Sequence, residues 1–195
     1  MDNRKISVIR FRSTFATIFA LMICAGYLLW KDHRLQKQNH TQAEQLKRRT
    51  DAQQAPRVGS TMSLLRGHTI SQQNVTLDLS RRESGTLLLV LSPVCPYCRV
   101  NFHNWRDLLQ GVSPDRVVWV DLTSTADARY MTTVGIPAKA NFILLNADDT
   151  NQNRLIATPT TVLLDPHGVV RWSSSGIMSG EQVAQLRGLL TSSLM

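Results

Sequence analysis

One stretch constrains this chain more than any other: Leu87-Leu88-Leu89-Val90-Leu91-Ser92-Pro93-Val94-Cys95-Pro96-Tyr97-Cys98-Arg99. An apolar run of strand length leads straight into a Cys-x-x-Cys, and an amphipathic segment follows. That order predicts two thiols at the junction of a buried strand and the first turn of a helix. The leading N–H groups of a helix have no intrahelical partner and its N-terminus carries partial positive charge, so an anion there is stabilised. A thiolate is such an anion, and in motifs of this kind its pKa falls from about 8.5 to roughly 3.5–7.5. Cys95 is therefore expected to be the exposed nucleophile. Cys98, one turn on and facing the same side, is expected to attack a mixed disulfide formed at Cys95. Pro96 suits the first helical position, where no N–H partner exists anyway.

The same cysteines admit other chemistry. Attachment of a c-type haem needs His directly after the second Cys, and Arg99 stands there. A structural zinc site needs two more ligands at comparable spacing, and the one other cysteine, Cys24, lies far off in an apolar span. An inert buried pair is the third alternative, and the strand, Cys-x-x-Cys and helix in register speak against it. No metal and no cofactor is expected.

The net charge of +8 resembles a nucleic-acid signature until it is divided along the chain. Residues 1–56 hold ten Lys/Arg against four Asp/Glu, whereas residues 57–195 hold twelve against ten. The excess lies outside the expected folded domain, and no basic face with interleaved aromatics occurs within it, so nucleic acid is not an expected partner.

Ser13 to Trp30 is an uncharged run of eighteen residues, at the lower edge of the about 17–25 that cross ~30 Å of hydrocarbon. Tyr27 and Trp30 sit at one end, where aromatic rings favour the interface. Arg4, Lys5, Arg10 and Arg12 precede it. A cleaved signal peptide is the alternative, but no small-x-small site follows the run, and Met22-Ile23 before Cys24 is no lipobox. The expectation is an uncleaved anchor over 13–30 behind a basic cytoplasmic N-terminus over 1–12. Lys31, Arg34 and Lys37 weaken the charge bias, yet long domains are translocated despite such charges, so the bulk is placed outside the cytoplasm. Residues 31–56 are polar and Gln-rich and read as a linker, with the folded domain spanning 57–195.

Within that domain, Thr69-Ile70 and Val75-Thr76-Leu77 suggest a hairpin inside residues 60–79. A helix is expected from about Pro96 to Leu109, with Phe102, Trp105 and Leu109 as its core face and His103 exposed between them. Val117 to Asp121 reads as a strand parallel to Leu87–Leu91, because a helix separates the two. A helix over 125–133, a strand over 141–146 and a short helix over 149–156 follow. Then come a strand over 160–164, a turn at Asp165-Pro166-His167-Gly168 and an antiparallel strand over 169–172. The last helix is expected at Ser179, which makes a capping box with Gln182 and has Val183, Leu186 and Leu190 on its apolar face.

This order resembles that of thioredoxin. The resemblance is most specific at Ala157-Thr158-Pro159-Thr160-Thr161-Val162-Leu163-Leu164-Asp165-Pro166-His167-Gly168, which is similar to a signature of membrane-anchored thioredoxins of the TlpA and ResA kind. Ser92-Pro93-Val94-Cys95-Pro96-Tyr97-Cys98 also resembles the accessory thioredoxins of methylamine dehydrogenase maturation. The resemblance covers roughly residues 57–195. It implies an α/β, thioredoxin-like fold with a central mixed sheet flanked by helices, behind one N-terminal transmembrane helix. It also implies a cis Thr158–Pro159 bond beside the cysteines, a redox-active Cys95–Cys98 disulfide, and a substrate groove at Pro96, Tyr97, Thr158 and Pro159.

The implied function is a thiol–disulfide oxidoreductase on a bacterial inner membrane, facing the periplasm. Its partners would be proteins bearing disulfides or thiols and a membrane redox partner that resets the cysteines. Service to cytochrome c or metalloprotein maturation is the expected context. Two rivals share the fold. Ser92, three residues before Cys95, resembles the Thr-x-x-Cys of thiol peroxidases, but Leu88 replaces their proline. Copper-delivery modules of this fold usually have three residues between their cysteines, not two. The chain also departs from thioredoxin: Val94 replaces the Trp before the first Cys, and Leu89 stands where a buried acid accepts protons. Its proline occupies the first intervening position, as in glutaredoxins.

Overall fold

The computed structural model describes residues 55–192, together with Tyr27, Trp30, Lys31, His33, Arg34 and Gln36, which are helical. The chain divides into two units, Met1–Arg48 and Arg49–Met195. In the first, the Tyr27 and Trp30 rings lie 6.2 Å apart, and the Arg34 guanidinium stands 4.8 Å over Trp30. The expected anchor over 13–30 and linker over 31–56 fall mostly outside the described residues. Among those described, no helix is long and apolar enough to cross a membrane.

The second unit is built on one seven-stranded sheet. Its strands are β1 (Leu64–His68), β2 (Asn74–Asp78), β3 (Thr86–Leu91), β4 (Val117–Asp121), β5 (Asn141–Leu145), β6 (Thr160–Leu164) and β7 (Val170–Ser175), in the order β2-β1-β5-β4-β3-β6-β7. Every residue of β3 is buried, as expected for a central strand covered on both faces, where apolar runs replace alternation. It pairs parallel with β4 and antiparallel with β6, so the sheet is mixed.

The period of two sends alternate residues to opposite faces. Leu87, Leu89 and Leu91 join one apolar cluster, and Leu88 and Val90 join the other. Helix α1 (Pro96–Leu109) and α4 (Gly180–Ser192) cover the first face through Phe102, Trp105 and Leu108, and through Val183, Leu186 and Leu190. Met131 of α2 (Ala128–Val134) adds to it. On the other face Leu65, Met62, Leu79 and Leu155 close the core, the last just beyond α3 (Ala147–Gln152). Trp105 is fully buried between Phe102 and Trp119, with ring centroids 5.3 and 5.8 Å away. Its Nε1–H donates to Thr161 Oγ1 at 2.8 Å.

Several expected boundaries move. The hairpin's first strand runs over Leu64–His68, and Thr69 belongs to its turn, where Thr69 Oγ1 accepts the Gln73 N–H at 3.2 Å. On α1 the buried residue is Leu108, whereas Leu109 is only partly covered. Helix α2 begins at Ala128, because the residue before it, Asp127, is extended and caps the helix by accepting the Tyr130 N–H, while Thr125 and Ala126 donate their N–H groups to Asp121. Helix α3 begins and ends earlier than expected, and β7 runs on to Ser175. The capping box is present: Gln182 N–H donates to Ser179 Oγ and Ser179 N–H to Gln182 Oε1.

Candidate active site

The strand and helix register brings both thiols to one end of the sheet. After β3, Ser92 starts a tight loop in which Cys95 N–H donates to Ser92 O at 3.1 Å. Cys95 is then the N-cap of α1, and Pro96 takes its first turn. The cap is the sulfur itself, because Cys95 Sγ accepts the Cys98 N–H at 3.4 Å. An oxygen side chain performs this task at most helix starts. Here the group that satisfies the helix terminus is the more exposed of the two thiols.

The two thiols have opposite surroundings. Cys95 is half-buried and Cys98 is 1% exposed. Burial works against ionisation of Cys95, but hydrogen bonds from the Thr158 side chain, from Cys98 and from the Cys98 and Tyr97 amides outweigh it and hold its pKa below the ordinary thiol value. Burial pushes the Cys98 thiol up to about 12, and the Ser92 amide offsets this only in part. Both cysteines are free thiols in this structure.

The loop before β6 faces the first cysteine. Cys95 Sγ donates to Thr158 O at 3.3 Å, and the Thr158–Pro159 bond is cis. Thr158 is half-buried, Pro159 buried, Pro96 and Tyr97 exposed. All six residues expected to form the site thus belong to two segments joined by that bond. Val94, Tyr97, Val100, Ile156 and Ile177 are large apolar side chains left exposed on those segments and on the loop after β7.

Sequence reasoning missed several residues that hold the site. Asn101 is fully buried on α1, and its Oδ1 accepts the Met178 N–H at 2.9 Å. Asn104 Nδ2 donates to Met178 O at 2.9 Å, and Gly176 N–H to Pro159 O at 2.7 Å. The helix carrying the cysteines and the loop carrying Pro159 are therefore fastened to one connecting segment. An Asn one turn after Cys98, on the core side, was the only available signal. Asp121 is fully buried at the end of β4, accepting the N–H groups of Thr123, Thr125 and Ala126 and the Thr123 hydroxyl. Leu89 is fully buried, so no carboxylate occupies the position of thioredoxin's proton acceptor. His103 is exposed and lies 3.6 Å from Asp107.

No protein-family model matches the chain, and no curated protein matches it by sequence. Solved structures match in fold. A DsbF homologue from Corynebacterium diphtheriae superposes with a TM-score of 0.54 at 16% identity, covering 67% of this chain and 87% of its own. A thiol:disulfide interchange protein from Bacteroides sp. gives 0.51 at 15%, covering 70% and 91%. A thiol peroxidase from Chromobacterium violaceum gives 0.52 at 16%, covering 72% and 89%. The domain has the thioredoxin-like α/β fold, with a mixed sheet between helices.

Proposed function

We propose that this domain is a thiol–disulfide oxidoreductase in which Cys95 attacks and Cys98 resolves. The observation that carries the reading is the asymmetry of the pair. One sulfur caps a helix, is reachable and is held toward the thiolate. The other is buried one turn deeper and held protonated. The Cys95 thiolate attacks a sulfur of the substrate disulfide, forms a mixed disulfide and releases the first substrate thiolate. Cys98 loses its proton and attacks Cys95 Sγ, which closes the Cys95–Cys98 disulfide and releases the second. Two electrons pass from the dithiol to the substrate. The exposed apolar side chains around Cys95, and the Thr158 carbonyl beside it, suit an extended protein segment as substrate.

The fold is shared with a thiol peroxidase, and the exchange reading is preferred because Ser92, the residue that resembles that enzyme's threonine, is engaged with its own loop. Its hydroxyl is occupied, 3.2 Å from Thr123 Oγ1 and 3.4 Å from the Val94 N–H.

The deciding experiment is trapping. Cys98→Ser should accumulate mixed disulfides with substrates, and Cys95→Ser should abolish exchange. Equal trapping by the two variants would overturn the assignment of roles. The tether and the periplasmic placement belong to the same proposal, supported by the Ser13–Trp30 run and the basic residues before it. Alkaline phosphatase fused after residue 60 should then be active. A membrane partner that restores the dithiol, and service to cytochrome c or metalloprotein maturation, complete the proposal.

A further inference from the structure

A cavity of about 430 Å³ opens beside Cys95. Cys95, Arg99, Phe102 and Arg106 line it from α1, and Tyr130 lines it from α2. The spacing explains the first wall. Residues 99, 102 and 106 recur at three and four, so they form one stripe along the helix that Cys95 caps. Arg99 and Arg106 stand two turns apart on it, about 10 Å along the axis. The volume is that of a small-ligand site.

Apart from the Cys95 sulfur, the charged side chains lining this cavity are the two arginines. No Asp or Glu lines it. The acids on neighbouring segments are engaged elsewhere. Asp107 lies against His103, Asp127 caps α2 by accepting the Tyr130 N–H, and Asp121 is surrounded by its own loop. Among the described residues, neither Arg99 nor Arg106 makes an ion pair. Burial, with the sulfurs and Asp121 nearby, raises the Tyr130 pKa, so its hydroxyl stays protonated. Guanidinium groups match carboxylates in fork geometry.

We propose that this cavity is an anion subsite that selects disulfides carrying a carboxylate close to the sulfur under attack. This rests on the exchange reaction proposed above and names its substrate class. The carboxylate enters against Arg99 and Arg106 while the attached sulfur reaches Cys95. The bond that forms is Cys95–S to substrate sulfur, and the bond that breaks is the substrate disulfide. The departing thiolate takes a proton from water, and an added dithiol reductant resets the pair.

Two readouts separate this inference from the activity on which it rests. In the first, the reduced full chain in detergent is alkylated with iodoacetate and with iodoacetamide, and labelling at Cys95 is read by peptide mass. Normalised to a free cysteine peptide, the iodoacetate-to-iodoacetamide rate ratio should be raised by about fivefold at low salt and fall toward one at about 0.5 M salt. Arg99→Gln and Arg106→Gln should each lower it, and Arg106→Lys should recover most of it.

In the second, turnover is compared between dithiodipropionate and bis(2-hydroxyethyl) disulfide, and between disulfide-linked peptides whose cysteine is flanked by Glu or by Gln. A preference confined to the small dianion makes the substrate a free metabolite-sized disulfide. One confined to the Glu peptide makes it an acidic protein segment. A flat alkylation ratio, or anion preferences that survive loss of both arginines, would overturn the subsite and leave the exchange activity standing. Absence of any turnover with an arginine-dependent alkylation ratio would do the reverse, removing the oxidoreductase and keeping the anion site.

Discussion

At Cys95 the sulfur is both helix cap and proposed nucleophile, so its ionisation and the geometry of the helix start are one property. Alkylation across pH should therefore label Cys95 at a lower pH than an ordinary thiol and leave Cys98 unlabelled until far above it. The same asymmetry sets how stability depends on pH. The Cys98 pKa is raised from 9.0 to about 12 in the folded dithiol. Its contribution is complete below the unfolded value and is lost as pH rises from 9 toward 12, because only the unfolded chain ionises there. Cys95, with a lowered pKa, works in the opposite sense, and its contribution is lost as pH falls through its folded value. Denaturation midpoints of the reduced protein should fall between pH 9 and 12, and Cys98→Ser should remove part of that fall. Thr161 poses a different test. It accepts the indole N–H of a fully buried Trp105, so Thr161→Val should cost about 1–3 kcal/mol by leaving that donor unpaired.

Elements with a strong local signal formed where the sequence placed them. Helix α4 starts at the Ser179–Gln182 box, which both hydrogen bonds complete. Ser179→Ala should lower stability by about 1 kcal/mol in chemical denaturation. Helix α1 begins where Cys95 and Pro96 direct it. The elements that shifted answer to polar contacts outside the apolar pattern, one of them near in sequence and one remote. Asp121 gathers the N–H groups of Thr123, Thr125 and Ala126 and so holds the loop ahead of α2, which starts at its own cap, Asp127. Asp149, on α3, is buried against Arg66 of β1 and accepts from its side chain at 2.9 Å. A helix whose key acid answers to a strand eighty-three residues earlier has boundaries that local periodicity does not report. Asp121→Ala should destabilise the domain by about 1–3 kcal/mol, because the buried Ala126 N–H loses its acceptor together with the partly buried N–H groups of Thr123 and Thr125.

Across the whole molecule, the least local feature is the attachment of the hairpin to the sheet. Strand β1 pairs antiparallel with β5 at Gly67 and His68. A Cβ at Gly67 would meet the carbonyl oxygen of Leu144 and the Ile143 side chain. Gly67→Ala should therefore loosen that junction, costing about 1–3 kcal/mol. Hydrogen exchange should quicken in β1, β2 and β5 while the Cys95 alkylation rate is kept, since the thiols sit at the start of α1. The sequence by itself determined the central βαβ unit, the thiol pair at its turn, and the Thr158–Pro159 segment, because each is written in adjacent residues: an all-apolar strand, a helix start, a signature. Tertiary structure alone decided the rest. It placed β1 and β2 beyond β5 and buried Asn101 as the link between α1 and the segment after β7. It also set Arg99 and Arg106 in a cavity walled by α2. The physical reason is the same in each case. A strand edge, a buried amide and a charge gain their meaning from the groups packed against them, and those groups arrive from distant parts of the chain.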